Sequence, residues 1–186
     1  MILQIYRETV TPGRESDYDA LERDTAQNAA RLGCPNPYLA AESLEGPMVV
    51  WWFNACDTAA EQQRVAHSYM QNATLMAALE RNSSRKAEFI SNTSDVFAEY
   101  KPDASNGASW TPGDGRFLCI IETTSTVDAR GAVFEAEDGT RFVVTACATR
   151  ADAEKVRHPN RHLLRVKTAW SFPSPAWIGA DREFWS

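Results

Sequence analysis

Residues 49–60 read VVWWFNACDTAA, and residues 141–151 read RFVVTACATRA. In both, an apolar run ends in Ala-Cys-x-Thr-x-Ala. In both, the Thr stands where its hydroxyl can accept from an orphan N–H of a following helix. Thr58 and Glu61 have capping-box spacing, and Thr149 and Asp152 repeat that spacing. The same unit is therefore written twice: the end of an apolar strand, two small residues that can pack under a helix, and the cap of that helix.

Working outward from the first copy, ILQIYRETV (2–10) is a strand candidate rich in Ile, Tyr, Thr and Val. Thr11-Pro12-Gly13 follows, with Thr11 suited to cap a helix and Pro12 to its first position. Tyr18, Leu21, Thr25, Ala29 and Leu32 recur at three- and four-residue steps, which predicts an amphipathic helix over 12–32. Gly33 and Pro35 stop it. YLAAESL (38–44) and MVVWWFNAC (48–56) are two further strands. A helix then runs from Thr58 through Val65, Tyr69, Ala73, Met76 and Leu79. Asn82-Ser-Ser interrupts it, another turn or two reaches Phe89, and VFAEY (96–100) is a fourth strand. The order β-α-β-β-α-β is the ferredoxin-like plan.

KPDASNGASWTPGDG (101–115) has the composition of an irregular linker. Beyond it, FLCIIETT (117–124) resembles the first strand, Glu122-Thr123 standing against Glu8-Thr9. GAVFEAEDGTRFVVTAC (131–147) is a hairpin around Asp138-Gly139. A short helix from Thr149 to Val156 and a strand LLRVKTAW (163–170) complete the pattern. The Glu-Thr landmark recurs after 114 residues and Ala-Cys after 91, so the second half lacks 23 residues, roughly one helix and its loop. The expected fold is α+β, with a ferredoxin-like half over 1–100, the linker 101–115, and a shortened half with an aromatic tail over 116–186. Their antiparallel sheets would pack as a pseudo-dimeric α/β barrel. The alternative is a chance match, in which Cys56 and Cys147 would occupy non-equivalent places.

The chain has 186 residues and a formal net charge of −6, an acidic balance that argues against nucleic acid or an anionic membrane as partner. No apolar stretch approaches the roughly 18 residues of a membrane span. The first residues, MILQIYRETV, show no secretion signal, so the expected location is cytoplasmic. The four cysteines lack CxxC spacing and read as reduced thiols.

Strand parity sorts the candidate functional residues, because alternate side chains point to opposite faces. Trp51, Phe53 and Ala55 share a wholly apolar parity, expected to lie under the helices. Trp52, Asn54 and Cys56 share the other, and the more polar parity of the first strand is Gln4, Tyr6 and Glu8. If the polar parities coincide, Tyr6, Glu8, Trp52 and Asn54 line a ligand-binding concavity on the far side of the sheet. Asn54 stands out because a buried amide must find partners, and Tyr6 and Glu8 are its nearest plausible neighbours. Glu8 buried beside Trp52 would serve as a general base, with Glu122 as its repeat. Acids at strand ends are, however, more often cross-strand salt-bridge partners.

LQIYRETVTPGRESDYDAL (3–21) and VVWWFNACDTAAEQQRV (49–65) resemble the dimeric α/β-barrel superfamily, which includes antibiotic-biosynthesis-type monooxygenases, haem-degrading relatives and stress-responsive barrels. The pattern covers residues 1–100 well and the second half weakly. The resemblance implies two sheets joined as a barrel, between subunits or fused halves, and allows a homodimer. It also implies, for some members, oxidation of small aromatic substrates without metal or flavin. The leading expectation is thus a cofactor-independent monooxygenase acting on a small aromatic or polyketide-like molecule. The alternative is a non-catalytic, small-ligand-binding or stress-response barrel.

No cofactor is expected, and haem is the weaker alternative. Haem-degrading relatives use an Asn on the first strand, a Trp near the end of the third and a His on the next helix. Here Tyr6 stands on the first strand, and Cys56 precedes the cap. His67 is on the right helix but about 200° from Val65, a position that favours solvent over a ligand role. His158-Pro-Asn-Arg-His162 has a zinc-compatible spacing, yet Pro159 and the absence of a third ligand favour a polar loop. The tail holds Trp170, Phe172, Trp177, Phe184 and Trp185. It is too apolar to float free and should cover a sheet edge, a barrel mouth or another subunit.

Overall fold

The computed structural model describes residues 1–106, 108–127 and 130–185, so Gly107 of the linker and Ser186 of the tail lie outside the described residues. The first half contains β1 (Ile2–Val10), α1 (Glu15–Leu32), β2 (Tyr38–Ser43), β3 (Val49–Cys56), α2 (Ala59–Gln71), α3 (Ala73–Lys86) and β4 (Ile90–Tyr100). After a short helix α4 (Pro102–Ser105), the second half contains β5 (Phe117–Thr123), β6 (Ala132–Ala136), β7 (Arg141–Cys147), α5 (Arg150–Lys155) and β8 (Arg161–Val166). All neighbouring strands are antiparallel, and they close into one barrel in the order β1-β3-β2-β8-β5-β7-β6-β4.

Within that ring, β4-β1-β3-β2 and β8-β5-β7-β6 are the same ferredoxin-like order, joined through β2–β8 and β6–β4. Cys56 stands opposite Ile2, and Cys147 stands opposite Phe117. The two cysteines are therefore equivalent, and the halves are related by a pseudo-twofold along the barrel. The register corrects the sequence alignment by one residue. Arg7 faces Trp51 across the ladder as Glu122 faces Phe142, so Glu122 is the counterpart of Arg7, not of Glu8. A slip of one residue turns a side chain to the other face. Glu8 thus points to the helices and Glu122 into the barrel mouth.

The faces themselves are reversed from expectation. Trp51 and Phe53 join Leu3, Ile5, Phe134, Phe142 and Leu164 in the barrel interior, with Ala55 at its margin. The barrel encloses this face, which suits the wholly apolar parity. Trp52 instead packs with Tyr18, Leu21, Val50 and Trp170 beneath the helices.

Local chemistry moves several boundaries. Pro12 and Gly13 form a turn, Arg14 N donating to Thr11 O at 3.0 Å, and α1 begins at Glu15 without a side-chain cap. Gly33, at φ 73°, ends α1 as expected. The long second helix is two helices, because Asn72 leaves helical geometry and its side chain accepts from Leu75 N at 3.1 Å to start α3. Asn82-Ser-Ser does not interrupt α3; Asn82 is buried and donates to Thr25 at 2.9 Å. Both Thr caps are made, Thr58 accepting from Glu61 N and Thr149 from Asp152 N, each at 3.1 Å.

The tail covers the barrel end where β3 finishes: Trp110 and Trp177 meet edge-on at 4.7 Å, with Phe184 and Trp185 packed against the interior cluster. Trp170, fully buried, reaches the helix side instead and donates to Asp19 at 3.1 Å.

Candidate functional site

Tyr6 pairs with Trp52 and Gln4 with Asn54 across β1 and β3, so the polar parities do coincide. The face they share lies between the sheet and helices α1, α2 and α3. A cavity of about 190 Å³ opens there, with Tyr6, Trp52 and Asn54 as its floor. Helix α1 contributes Glu22, Thr25 and Ala29; Tyr69, Leu79 and Lys86 close it from α2 and α3. Cys34 and Tyr38, from the α1–β2 connection and the start of β2, complete the wall. The Tyr38 and Trp52 rings meet edge-on at 5.8 Å.

Glu8 sits at the base of this site and does not line the cavity. It is 2% exposed, and its Oε2 accepts from the Tyr18 hydroxyl, from Trp52 Nε1 at 3.1 Å and from Lys86 Nζ at 3.3 Å. Three donors on one oxygen hold the indole of Trp52 in place. Lys86 also approaches Glu22 Oε1 at 2.7 Å, so one ammonium serves two carboxyl groups. Glu22 is 1% exposed. Both Glu22 oxygens are buried, with the Lys86 ammonium directly against Oε1. Burial raises the Glu22 carboxyl above its usual range, against the opposing pull of Lys86. Burial likewise raises Tyr6, with Glu8 adding to it, and raises Tyr38 and Tyr69.

Asn54 finds partners other than those expected. Asn36 donates to its Oδ1 at 3.1 Å, and its own amide donates to Gln4 at 3.4 Å. Gln4 in turn donates to Asp95. This amide chain crosses the floor between the cavity and a neighbouring one of about 310 Å³, and both are lined by Asn54 and Tyr69.

Two residues central to the cavity, Glu22 and Lys86, were not among the sequence candidates. A signal for them existed. Glu22 falls four residues after buried Tyr18 on the inward stripe of α1, and Lys86 falls four after buried Asn82 on α3. A charge on a buried stripe is costly unless paired.

The remaining candidates separate from the site. His67 is exposed, 2.8 Å from Gln71, and lines no wall of the cavity. His162 lies on β8 at the opposite barrel mouth, 4.9 Å from the Trp51 ring and 3.5 Å from Glu122. Among the described residues no group of three or more His, Cys, Asp or Glu is placed to hold a metal. All four cysteines are free, and no described helix is long and apolar enough to cross a membrane.

No protein-family model matches the chain, and no curated protein matches it. Solved structures do. A protein from Fusobacterium nucleatum subsp. nucleatum, provisionally named a monooxygenase, superposes with a TM-score of 0.57 at 9% identity, over 89% of this chain and 91% of that one. One from Lactobacillus acidophilus, named in the same provisional way, gives 0.54 at 8% identity, over 89% and 93%. The likeness shows the fold: a ferredoxin-like α/β barrel, here closed within one chain.

Proposed function

We propose that this chain, whose barrel is shared with proteins named as monooxygenases, oxidises a small aromatic molecule in the cavity between β1/β3 and the helices, without metal or flavin. The observation that carries the reading is a cavity that gathers four aromatic residues, Tyr6, Tyr38, Trp52 and Tyr69, with a few polar groups, Asn54 and Lys86 among them. Apolar walls with a few convergent polar groups are the usual form of a small-ligand site. An oxygenase of this kind also needs a group that handles the substrate's proton, which a binding protein does not. An electron-rich phenol that gives up a proton can pass an electron to dioxygen. Recombination and loss of water then convert a CH₂ group and O₂ into a carbonyl and H₂O. Tyr6, Tyr38 and Trp52 would hold the ring.

One observation favours the non-catalytic reading. Lys86 is already shared by Glu8 and Glu22, and burial keeps a proton on Glu22 to higher pH than usual. Oxygen consumption with 4-ethylphenol, a single-ring phenol that carries a CH₂ group, above the rate of autoxidation, decides between the two. Uptake that disappears in Trp52→Ala supports the enzyme; binding without uptake supports the binding protein. A Soret shift on haem titration would instead restore the haem-related reading.

A further inference from the structure

We propose that the aromatic ligand carries a neutral alkyl chain, and that this chain runs beneath α2 into the neighbouring outer cavity. This rests on the reading of the cavity over Trp52 as a small-aromatic site.

The first observation is a helix with an unused face. No side chain of α2 is buried, and the helix is held at its start by the Thr58 cap and at its end by the turn at Asn72. Gln62, Val65, Ala66 and Tyr69 nevertheless share one stripe, at the i, i+3, i+4, i+7 spacing of a helix face that packs on something. Those four residues are the α2 wall of the outer cavity, and Ile2 and Phe97 stand on its sheet side. Phe97 is 45% exposed. A chain lying between the stripe and Phe97 takes apolar surface on both sides out of water.

The second observation is continuity. Asn54 on the sheet and Tyr69 on α2 line both cavities, so the way out of the ring site past Asn54 leads under the helix. The polar groups there already have partners: Asn36 and Gln4 for the Asn54 amide, and Cys34 Sγ at 3.0 Å for the Tyr69 hydroxyl. An apolar chain crossing them strands none.

The third observation is a change of polarity along that path. Glu22 and Lys86 line the inner cavity, whereas no Asp, Glu, Lys or Arg lines the outer one among the described residues. A charged chain end would give up water there without meeting an opposite charge. The polar end of the ligand therefore lies inward and the neutral chain outward.

Ligand-observed NMR titration of the intact protein with phenol, 4-ethylphenol, 4-butylphenol and 4-hexylphenol tests this. Wild-type affinity should rise roughly threefold for each added methylene that enters the outer cavity. 4-(4-hydroxyphenyl)butanoate, with its charged chain end, should bind more weakly than 4-butylphenol. Ala66→Phe fills the outer cavity and Phe97→Gln makes its sheet side polar, so each should flatten the rise; both positions are exposed, and neither change touches the core. Amide hydrogen exchange gives a second reading: 4-hexylphenol should slow the α2 amides more than phenol does at equal occupancy. Affinity independent of chain length, a rise unchanged in both variants, tighter binding of the butanoate, or equal protection of α2 overturns the chain assignment and leaves the ring site standing. Failure of every phenol to bind wild type removes the ring site and this assignment with it.

Discussion

Arg7 and Glu122 occupy equivalent places in the two halves of the barrel, and their side chains pair at 2.7 Å across its mouth. One position is basic and the other acidic, so the two side chains that meet there attract. The Arg7 guanidinium also lies 4.9 Å over the Trp51 ring and donates to Ser94. The nearby His162 ring, together with Arg7, holds the Glu122 carboxyl down at about 2.

A depressed carboxyl contributes stability that is present above its ordinary value of 4.5 and is lost as pH falls toward about 2. Denaturant unfolding between pH 5 and 2 should show wild type losing this increment and Glu122→Gln lacking it throughout. The pair is only partly buried, so about 1 kcal/mol is expected at neutral pH. Identical acid profiles would remove the pairing.

Glu22 has the opposite sign. Its raised carboxyl contributes most stability below the ordinary value of 4.5 and loses it as pH climbs through the higher folded value. Glu22→Gln should therefore gain on wild type from about pH 4.5 upward. Parallel melting-temperature curves for the two proteins from pH 4 to 9 would contradict this.

Lys86→Met leaves two buried carboxyl groups without a cation. Destabilisation of about 3 kcal/mol is expected. Adding Glu22→Gln should recover part of it, because one of the two stranded acids is then neutral. A double variant no more stable than the single one would count against the shared ammonium.

Trp52→Ala should abolish binding of small phenols, because the indole is both floor and wall of the cavity. Asn54→Ala, which breaks the amide chain to Asn36 and Gln4, should weaken binding less. Fluorescence or NMR titration reads both. Variants that bind like wild type would place the ligand elsewhere.

Trp177→Ala uncovers the barrel end beside Trp110 and should cost roughly 3 kcal/mol, as large-to-small changes of buried aromatics do. Loss of less than a fifth of that in urea unfolding would mean the tail only rests on the barrel.

Much of this architecture is legible in the sequence by itself. The doubled Ala-Cys-x-Thr-x-Ala, the two Thr caps and the parity of Tyr6, Trp52 and Asn54 are local features, set by chain geometry within a few residues. What only the tertiary structure decided is which face each parity meets. Both parities of VVWWF (49–53) are apolar, so periodicity barely orients them. Closing eight strands into a ring encloses one face completely, and the parity free of polar groups goes there. Register decided that Glu122 matches Arg7, because a one-residue slip along a strand leaves no mark on composition. Glu22 and Lys86 lie 64 residues apart on different helices. Each is a single charge on a buried stripe, and only the packing of α1 and α3 over the same patch of sheet brings them to one cavity.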